Sequence, residues 1–200
     1  MKKQIKFGVP NLVIVPGLVC IMLSGCSTFN KIYSEEDIVY STKRFELKYD
    51  CKDRDRRMPF YFTQSIVKEV DQNNNVSYRA YDVLSLTSSS FKFDEKAVLI
   101  IDNKPYPMVI DRIELENVKT ISENSTDIQT LDSTTVSVIT GYSENNRKIT
   151  RFSYKIPVST MMEIKKASKI YIRYYSGPNM ITVKPKKISI KKIKELINTE

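Results

Sequence analysis

The chain has no histidine. That absence excludes Ser-His-Asp and Cys-His nucleophilic machinery, histidine-containing zinc sites and a histidine-based pH switch. Cysteine is nearly as scarce. There are three, Cys20, Cys26 and Cys51, and two of them fall within the first 26 positions. Cys51 stands alone beyond that segment, which leaves no pair there for a disulfide and no thiolate cluster for a metal. The chemistry left is that of carboxylates, hydroxyls, lysines and tyrosines. No apolar run reaches the ~20 residues a transmembrane helix needs. The stretch from Phe7 to Leu23 is uncharged, but Pro10 and Pro16 interrupt it, and each proline removes an N–H and clashes with the preceding turn. Internal repeats are also absent, and Ser88-Ser89-Ser90 is too short to count as low complexity.

What is present begins at the N-terminus. Met1 to Lys6 carries Lys2, Lys3 and Lys6 and no acid, and the apolar stretch follows directly. This is the order of a positive n-region and an h-region in an export signal. The stretch ends in Leu23-Ser24-Gly25-Cys26: a leucine three residues before a cysteine, with two small residues between. The motif resembles the lipobox of bacterial lipoproteins, and the resemblance covers the first 27 residues. It implies a diacylglyceryl group on the Cys26 sulfur, a signal peptide over 1–25 and cleavage between Gly25 and Cys26. Small neighbours matter because the peptide must enter a narrow active site in the membrane. Cys20 is a poorer candidate, since bulky Leu18 and Val19 precede it. Two or three acyl chains, palmitate among them, hold a protein firmly where one gives marginal binding. Ser27, in place of the aspartate that retains lipoproteins at the inner membrane, favours the outer membrane over the cytoplasmic membrane.

The formal net charge is +9, and removing residues 1–25 takes away only three lysines of it. A basic surface favours acidic partners, which outside the cell would be anionic lipid, lipopolysaccharide, wall polymer or host polyanion rather than nucleic acid. With 41% hydrophobic and 28% charged residues, the composition is that of a folded protein, and the length beyond the signal suits one domain of ~100–200 residues.

Along the chain the dominant period is two. Residues 26–37 read as a polar tether and 38–200 as a single β-rich domain. Phe45, Leu47, Tyr49 and Cys51 alternate with Arg44, Glu46, Lys48 and Asp50, the pattern of a half-buried strand that also buries the Cys51 thiol. Phe60–Val70 and Val76–Thr87 read as a hairpin across Asp71 to Asn75. Val98–Ile101 reads as a buried strand, Asp102 to Pro105 as a turn and Met108–Thr120 as the return strand. Ser122 to Ser133 reads as a polar loop. Thr134–Tyr142 and Lys148–Val158 read as a second hairpin around Glu144-Asn145-Asn146-Arg147. Thr160 and Glu163 fit a capping box for a short helix. Lys169–Tyr175 and Ile181–Lys184 follow as strands around Gly177-Pro178-Asn179. The spacing of Ile190, Ile193, Leu196 and Ile197 predicts a terminal amphipathic helix over 189–198. The fold expected is mainly β: an antiparallel β-sandwich or open barrel with one short internal helix and that C-terminal helix.

Four constellations stand out as candidate sites. Asp71-x-Asn73-x-Asn75, with Asp82 at the twelfth position, begins like a calcium loop. Val76 occupies the place that needs glycine, however, and Asp82 replaces the bidentate glutamate, so a polar turn is the better reading. Cys51 to Arg57 is a dense charge run in which arginines would hold Asp53 and Asp55 ionised, leaving no proton donor. Tyr171, Arg173 and Tyr175 share one strand face, and such residues stack on sugars or anchor protein partners. Lys184-Pro185-Lys186-Lys187 leads into the lysine-rich terminal helix, where each lysine near a membrane attracts anionic headgroups by about 1 kcal/mol. No catalytic, cofactor-binding or metal-binding residue is expected. The sequence thus points to an envelope lipoprotein anchored through Cys26, acting as a binding or accessory module for an envelope protein, a glycan or an acidic partner. The alternatives are a structural envelope component and a histidine-free hydrolase built on carboxylates or a Ser-Lys pair.

Overall fold

A computed structural model describes residues 28–53, 60–86 and 91–200. The elements in chain order are β1 (Ile32–Asp37), β2 (Thr42–Asp53), β3 (Phe60–Val70), β4 (Val76–Leu86), β5 (Lys96–Ile101), β6 (Lys104–Val109), β7 (Arg112–Gln129), β8 (Thr135–Ile156), α1 (Val158–Lys166), β9 (Ile170–Ser176), β10 (Asn179–Val183) and α2 (Lys187–Asn198). The fold is mainly β, as expected. One sheet has the order β1-β2-β3-β4-β8-β7 and the other β10-β9-β5-β6, and every pairing is antiparallel.

Alternation decides which side chains meet between the sheets. Phe45, Leu47, Tyr49 and Cys51 of β2 are all buried, as are Phe60, Phe62, Gln64, Ile66 and Lys68 of β3. Facing them, Ile170, Ile172, Tyr174 and Ser176 of β9 are buried. The layers touch through aromatic rings: Phe152 stacks on Tyr174 at 4.8 Å, and Phe62 meets Tyr174 at 6.2 Å. The sheets therefore form a curled, sandwich-like arrangement around one core. Both helices pack against the wider sheet, on β2, β3 and β4. Lysines close their C-termini. Lys68 Nζ donates to the carbonyls of Ile197 and Thr199, and Lys194 Nζ donates to Ala167 O at 2.7 Å. Positive charge there satisfies free carbonyls and opposes the helix dipole, and desolvation of the Lys68 ammonium lowers its pKa.

Several local readings are corrected by the fold. Part of the expected tether is strand, since Ile32–Asp37 pairs with β2 from Leu47 to Thr42. Its side chains are mostly exposed, so backbone hydrogen bonds hold it rather than an apolar face. The return strand after β5 is Lys104–Val109, not Met108–Thr120. Asp102 and Asn103, both at positive φ (45° and 70°), make the two-residue turn, the geometry that best matches strand twist. Pro105 and Pro107 are tolerated in β6 because it is an edge strand. The short helix begins at Val158 with Pro157 as its cap and no side-chain cap, so the Thr160–Glu163 capping box does not form. Thr160 lies inside the helix and is buried. The terminal helix starts at Lys187, two residues before the expected Ser189, and Ile193, Leu196 and Ile197 are buried as the spacing requires.

The largest correction concerns 122–147. Of the loop over Ser122 to Ser133 only residues 130–133 turn, the part from Ser122 to Gln129 being strand, and the turn at 144–147 does not exist. β7 and β8 are continuous strands of 18 and 22 residues. Asn145 and Asn146 lie opposite Thr120 and Lys119, and the chain turns only between Gln129 and Thr135. A facing strand satisfies the backbone of a polar, asparagine-rich segment as well as it does an apolar one, so cross-strand pairing overrides local turn preference.

Candidate functional site

The long hairpin outgrows the body that carries it. β4 ends at Leu86, opposite Lys148 of β8. From Arg147 back to Thr135, β8 pairs only with β7 among the described residues. At ~3.3 Å rise per residue, this arm extends about 40 Å beyond the body. No residue from Glu116 to Ile149 is buried. Asn124 and Ser125 mark a bulge in the register, where Gly141 is followed in the pairing by Ile139. Near the tip Ile128 lies opposite Val136 and Thr126 opposite Val138, so alternation gathers Ile128, Val136 and Val138 on one face. Leu131 at the turn is fully exposed. Asp132 organises that turn by accepting from the Thr130 and Thr134 hydroxyls and the Thr134 N–H, which hold its carboxyl down at about 2. Charge is distributed as unevenly as shape. Thr120 to Asn146 contains Glu123, Asp127, Asp132 and Glu144 and not one lysine or arginine, in a chain of net charge +9.

At the base of the arm the two sheets part and leave a cleft of about 500 Å³. Ile113, Leu115, Lys148 and Thr150 line it from the wide sheet, and Lys92, Phe93, Glu95, Ile110 and Asp111 line it from the segments flanking β5 and β6. Its size lies within the range of ligand sites, ~300–1,000 Å³. Its lining is mixed: Phe93, Ile110, Ile113 and Leu115 are apolar, and its lips carry both signs of charge. Asp111 is engaged by Arg79 at 2.7 Å, and Lys148 Nζ donates to Phe91 O at 3.4 Å. Thr150 is 1% exposed, and its Oγ1 has no hydrogen-bond partner among the described residues.

A different cluster sits in the core. Asp82, 1% exposed, accepts from Tyr174 Oη and from Gln64 Nε2 at 2.7 Å. Gln64 also accepts from Tyr49 Oη at 2.6 Å and donates to Tyr154 Oη at 3.1 Å. Desolvation pushes the Asp82 carboxyl up to about 6 against the lowering effect of its hydrogen bonds, and burial raises Tyr49, Tyr154 and Tyr174 well above the usual phenol value. A raised carboxyl pKa in a cleft would suggest a general acid. Alternation instead turns the Asp82 side chain into the core, where it is 1% exposed, although the residue borders a shallow hollow of about 260 Å³ formed with Tyr81, Val83, Arg151 and Ser153 on the other face. With its oxygens occupied and the core closed over it, this network is a structural polar element.

The residues singled out in the sequence are scattered. Cys26 and most of the charge run lie outside the described residues. Tyr171, Arg173 and Tyr175 do share the outer face of β9, each half-buried, beside Val98 and Ile100 of β5. Arg173 Nε donates to Thr182 Oγ1 at 3.2 Å, and Lys184 sits 5.9 Å over the Tyr171 ring. Asp71 closes a polar turn through Asn73 and Asn75, whose hydrogen bonds lower its pKa, while Asp82 lies elsewhere in the core. Cys51 is buried, and desolvation pushes its thiol up to about 11. Among the described residues no group of histidine, cysteine and acids could hold a metal, and no helix is long and apolar enough to cross a membrane. Sequence reading missed both the arm and the cleft. The unbroken absence of lysine and arginine over 120–146 is the one signal that marked the arm.

No family model matches the chain, and neither a curated protein nor a solved structure matches it.

Proposed function

We propose that this chain is a lipoprotein, anchored through Cys26 on the outer side of a bacterial membrane, and that it acts as a binding or accessory module whose β7–β8 arm docks an envelope protein. The lipobox-like Leu23-Ser24-Gly25-Cys26 supports the anchor. The observation that carries the docking role is the arm itself. A two-stranded hairpin is marginal in water on its own, yet this one holds Ile128, Leu131, Val136 and Val138 in solvent at its far end. The charge of the arm sharpens the partner. The chain as a whole is basic, but its reaching element carries four acids and no base over 120–146. A docking surface with lysine or arginine around an apolar patch complements it, and such complementarity steers encounter.

Two experiments test the two halves of this reading. Cys26→Ser is expected to abolish lipid labelling and leave the precursor uncleaved; normal labelling refutes the anchor. A photo-cross-linking amino acid in place of Leu131, activated in intact cells, is expected to give one discrete protein adduct that disappears in Glu123→Gln/Asp127→Asn. An adduct indifferent to those neutralisations, or none, refutes the docking arm.

A further inference from the structure

The four sheet edges differ in how they are protected. β1 has only six residues and carries Glu35, Glu36 and Asp37. β10 has five residues, and β6 carries Pro105 and Pro107. Short length, charge and proline are the devices that stop an edge from pairing with another chain. β7 ends the wide sheet, is 18 residues long and contains no proline, and the charges of its first part, Arg112, Glu114 and Glu116, are taken up in ion pairs with one another and with Arg151. Its N–H and C=O groups on the side away from β8 have no strand to pair with among the described residues.

The cleft lies beside the first part of that edge. In a sandwich, inner side chains of one sheet interdigitate with those of the other. Here the wide sheet has six strands and the facing one four, so Ile113, Leu115 and Thr150 look into unfilled space instead of into a facing strand. Thr150 makes the vacancy costly. A buried hydroxyl without a partner is a standing penalty, and Thr150 Oγ1 is such a group. The site has what strand addition requires: a bare backbone edge for affinity and an adjoining apolar space for a side chain.

We propose that β7 accepts an extended segment of a partner protein as a seventh strand along Arg112–Val118, with one of its apolar side chains entering the cleft against Phe93 and Ile110. A polar group of the same segment meets the Thr150 hydroxyl. The segment alternates apolar and polar residues and has no strong net charge, because the lips hold Lys92 and Lys148 as well as Glu95 and Asp111. A second copy is disfavoured as the occupant. β7 carries Glu114, Glu116, Glu123 and Asp127 against Arg112 and Lys119, and like charges across paired strands destabilise. The proposal rests on the reading of the chain as a binding module, but on neither its lipid anchor nor the distal arm.

The test uses the full chain in detergent with an acetylated ten-residue peptide of alternating valine and threonine capped by lysines, and the same peptide N-methylated at alternate residues. Hydrogen exchange of amides 112–118 is expected to slow at least tenfold with the first peptide and not at all with the second. Leu115→Trp, which fills the cleft from a half-exposed position, is expected to weaken binding at least tenfold while leaving exchange in β2–β4 unchanged. Three results overturn the proposal: no protection at millimolar peptide, protection that survives N-methylation or Leu115→Trp, or protection of 112–118 by increasing chain concentration alone, which would identify a second copy. Joining Val118 to Arg147 through Asn-Gly removes the arm and keeps the cleft. Strand protection retained in that variant, with no Leu131 adduct from the full-length chain, rejects the docking arm alone; a Leu131 adduct from the full-length chain with no strand protection rejects the strand site alone.

Discussion

Strand β8 lives in two environments. From Lys148 to Ile156 it is flanked by β4, and as far as Ser153 by β7 as well, and Thr150, Phe152, Tyr154 and Ile156 are buried. From Thr135 to Arg147 it has β7 alone among the described residues, and no residue is buried. Pairing with β7 runs through both halves as far as Ser153, while pairing with β4 is confined to the body. The layer behind the strand differs as well. Phe152 reaches across to Tyr174 and Phe93 and Tyr154 is fully buried beside it, whereas Val136, Val138 and Ile139 face no second sheet among the described residues. Hydrogen bonding extends a strand, but apolar burial against another layer is what stabilises it.

The contrast is broken or upheld most directly by equal truncations in the two regions. Phe62→Ala in the body, where the ring is fully buried, is expected to cost about 3–5 kcal/mol. Ile128→Ala in the arm is expected to change stability by no more than about 0.5 kcal/mol. Urea unfolding measures both, and comparable losses would mean that the arm is packed in solution.

The next effect separates the body from the arm by pH. Asp82 is an acid whose folded pKa, pushed up to about 6, lies above its unfolded value of ~3.9. The folded state therefore holds the proton more tightly. Its contribution is fully present below about pH 4 and is lost as pH rises to about 6, a decline on the order of 3 kcal/mol. The exposed acids of the arm, Asp132 and Glu144, have lowered values. Their stabilisation is present above the unfolded value and lost as pH falls, so the two regions slope in opposite directions. The stability difference between the wild type and Asp82→Asn is expected to show the 4-to-6 decline by itself. A flat difference would mean that the carboxyl is not desolvated.

Glycines give the smallest contrast. Gly177 turns β9 into β10 at φ +57°, and a Cβ there would stand 2.6 Å from Cγ of Phe91. Gly177→Ala is expected to cost about 1–2 kcal/mol, from the left-handed backbone and the displaced ring. Gly141, in the arm, has nothing within 4 Å of an added Cβ, and Gly141→Ala is expected to shift the thermal midpoint hardly at all. A loss at Gly141 equal to that at Gly177 would place a packing partner on the arm.

Legibility in the sequence followed the same division. Strand β2, the β3–β4 hairpin, the alternation that puts Tyr171, Arg173 and Tyr175 on one face, and the apolar stripe of α2 were readable because buried positions recur with the period of their element. The arm was misread because its signals are local and polar. Asn145 and Asn146 look like a turn, but their backbone is satisfied by Thr120 and Lys119 across the hairpin. β1 reads as tether for a related reason, since it is held by hydrogen bonds to β2 with little side-chain burial. The cleft has no linear signature. It arises because one sheet is two strands wider than the other, and Thr150 is like any strand threonine until its missing partner is seen.

By itself the sequence determined which chemistries are closed to this chain, through its lack of histidine and its isolated Cys51, and which residues form the core, through period-two alternation. Those are properties of composition and spacing, and they need no knowledge of neighbours. Tertiary structure alone decided that residues 112–156 form one long hairpin, that it outreaches β4, and that an unfilled space opens at its base. Each depends on which strand lies beside which and where that neighbour ends, and on what stands across the interlayer gap, and no local pattern encodes these.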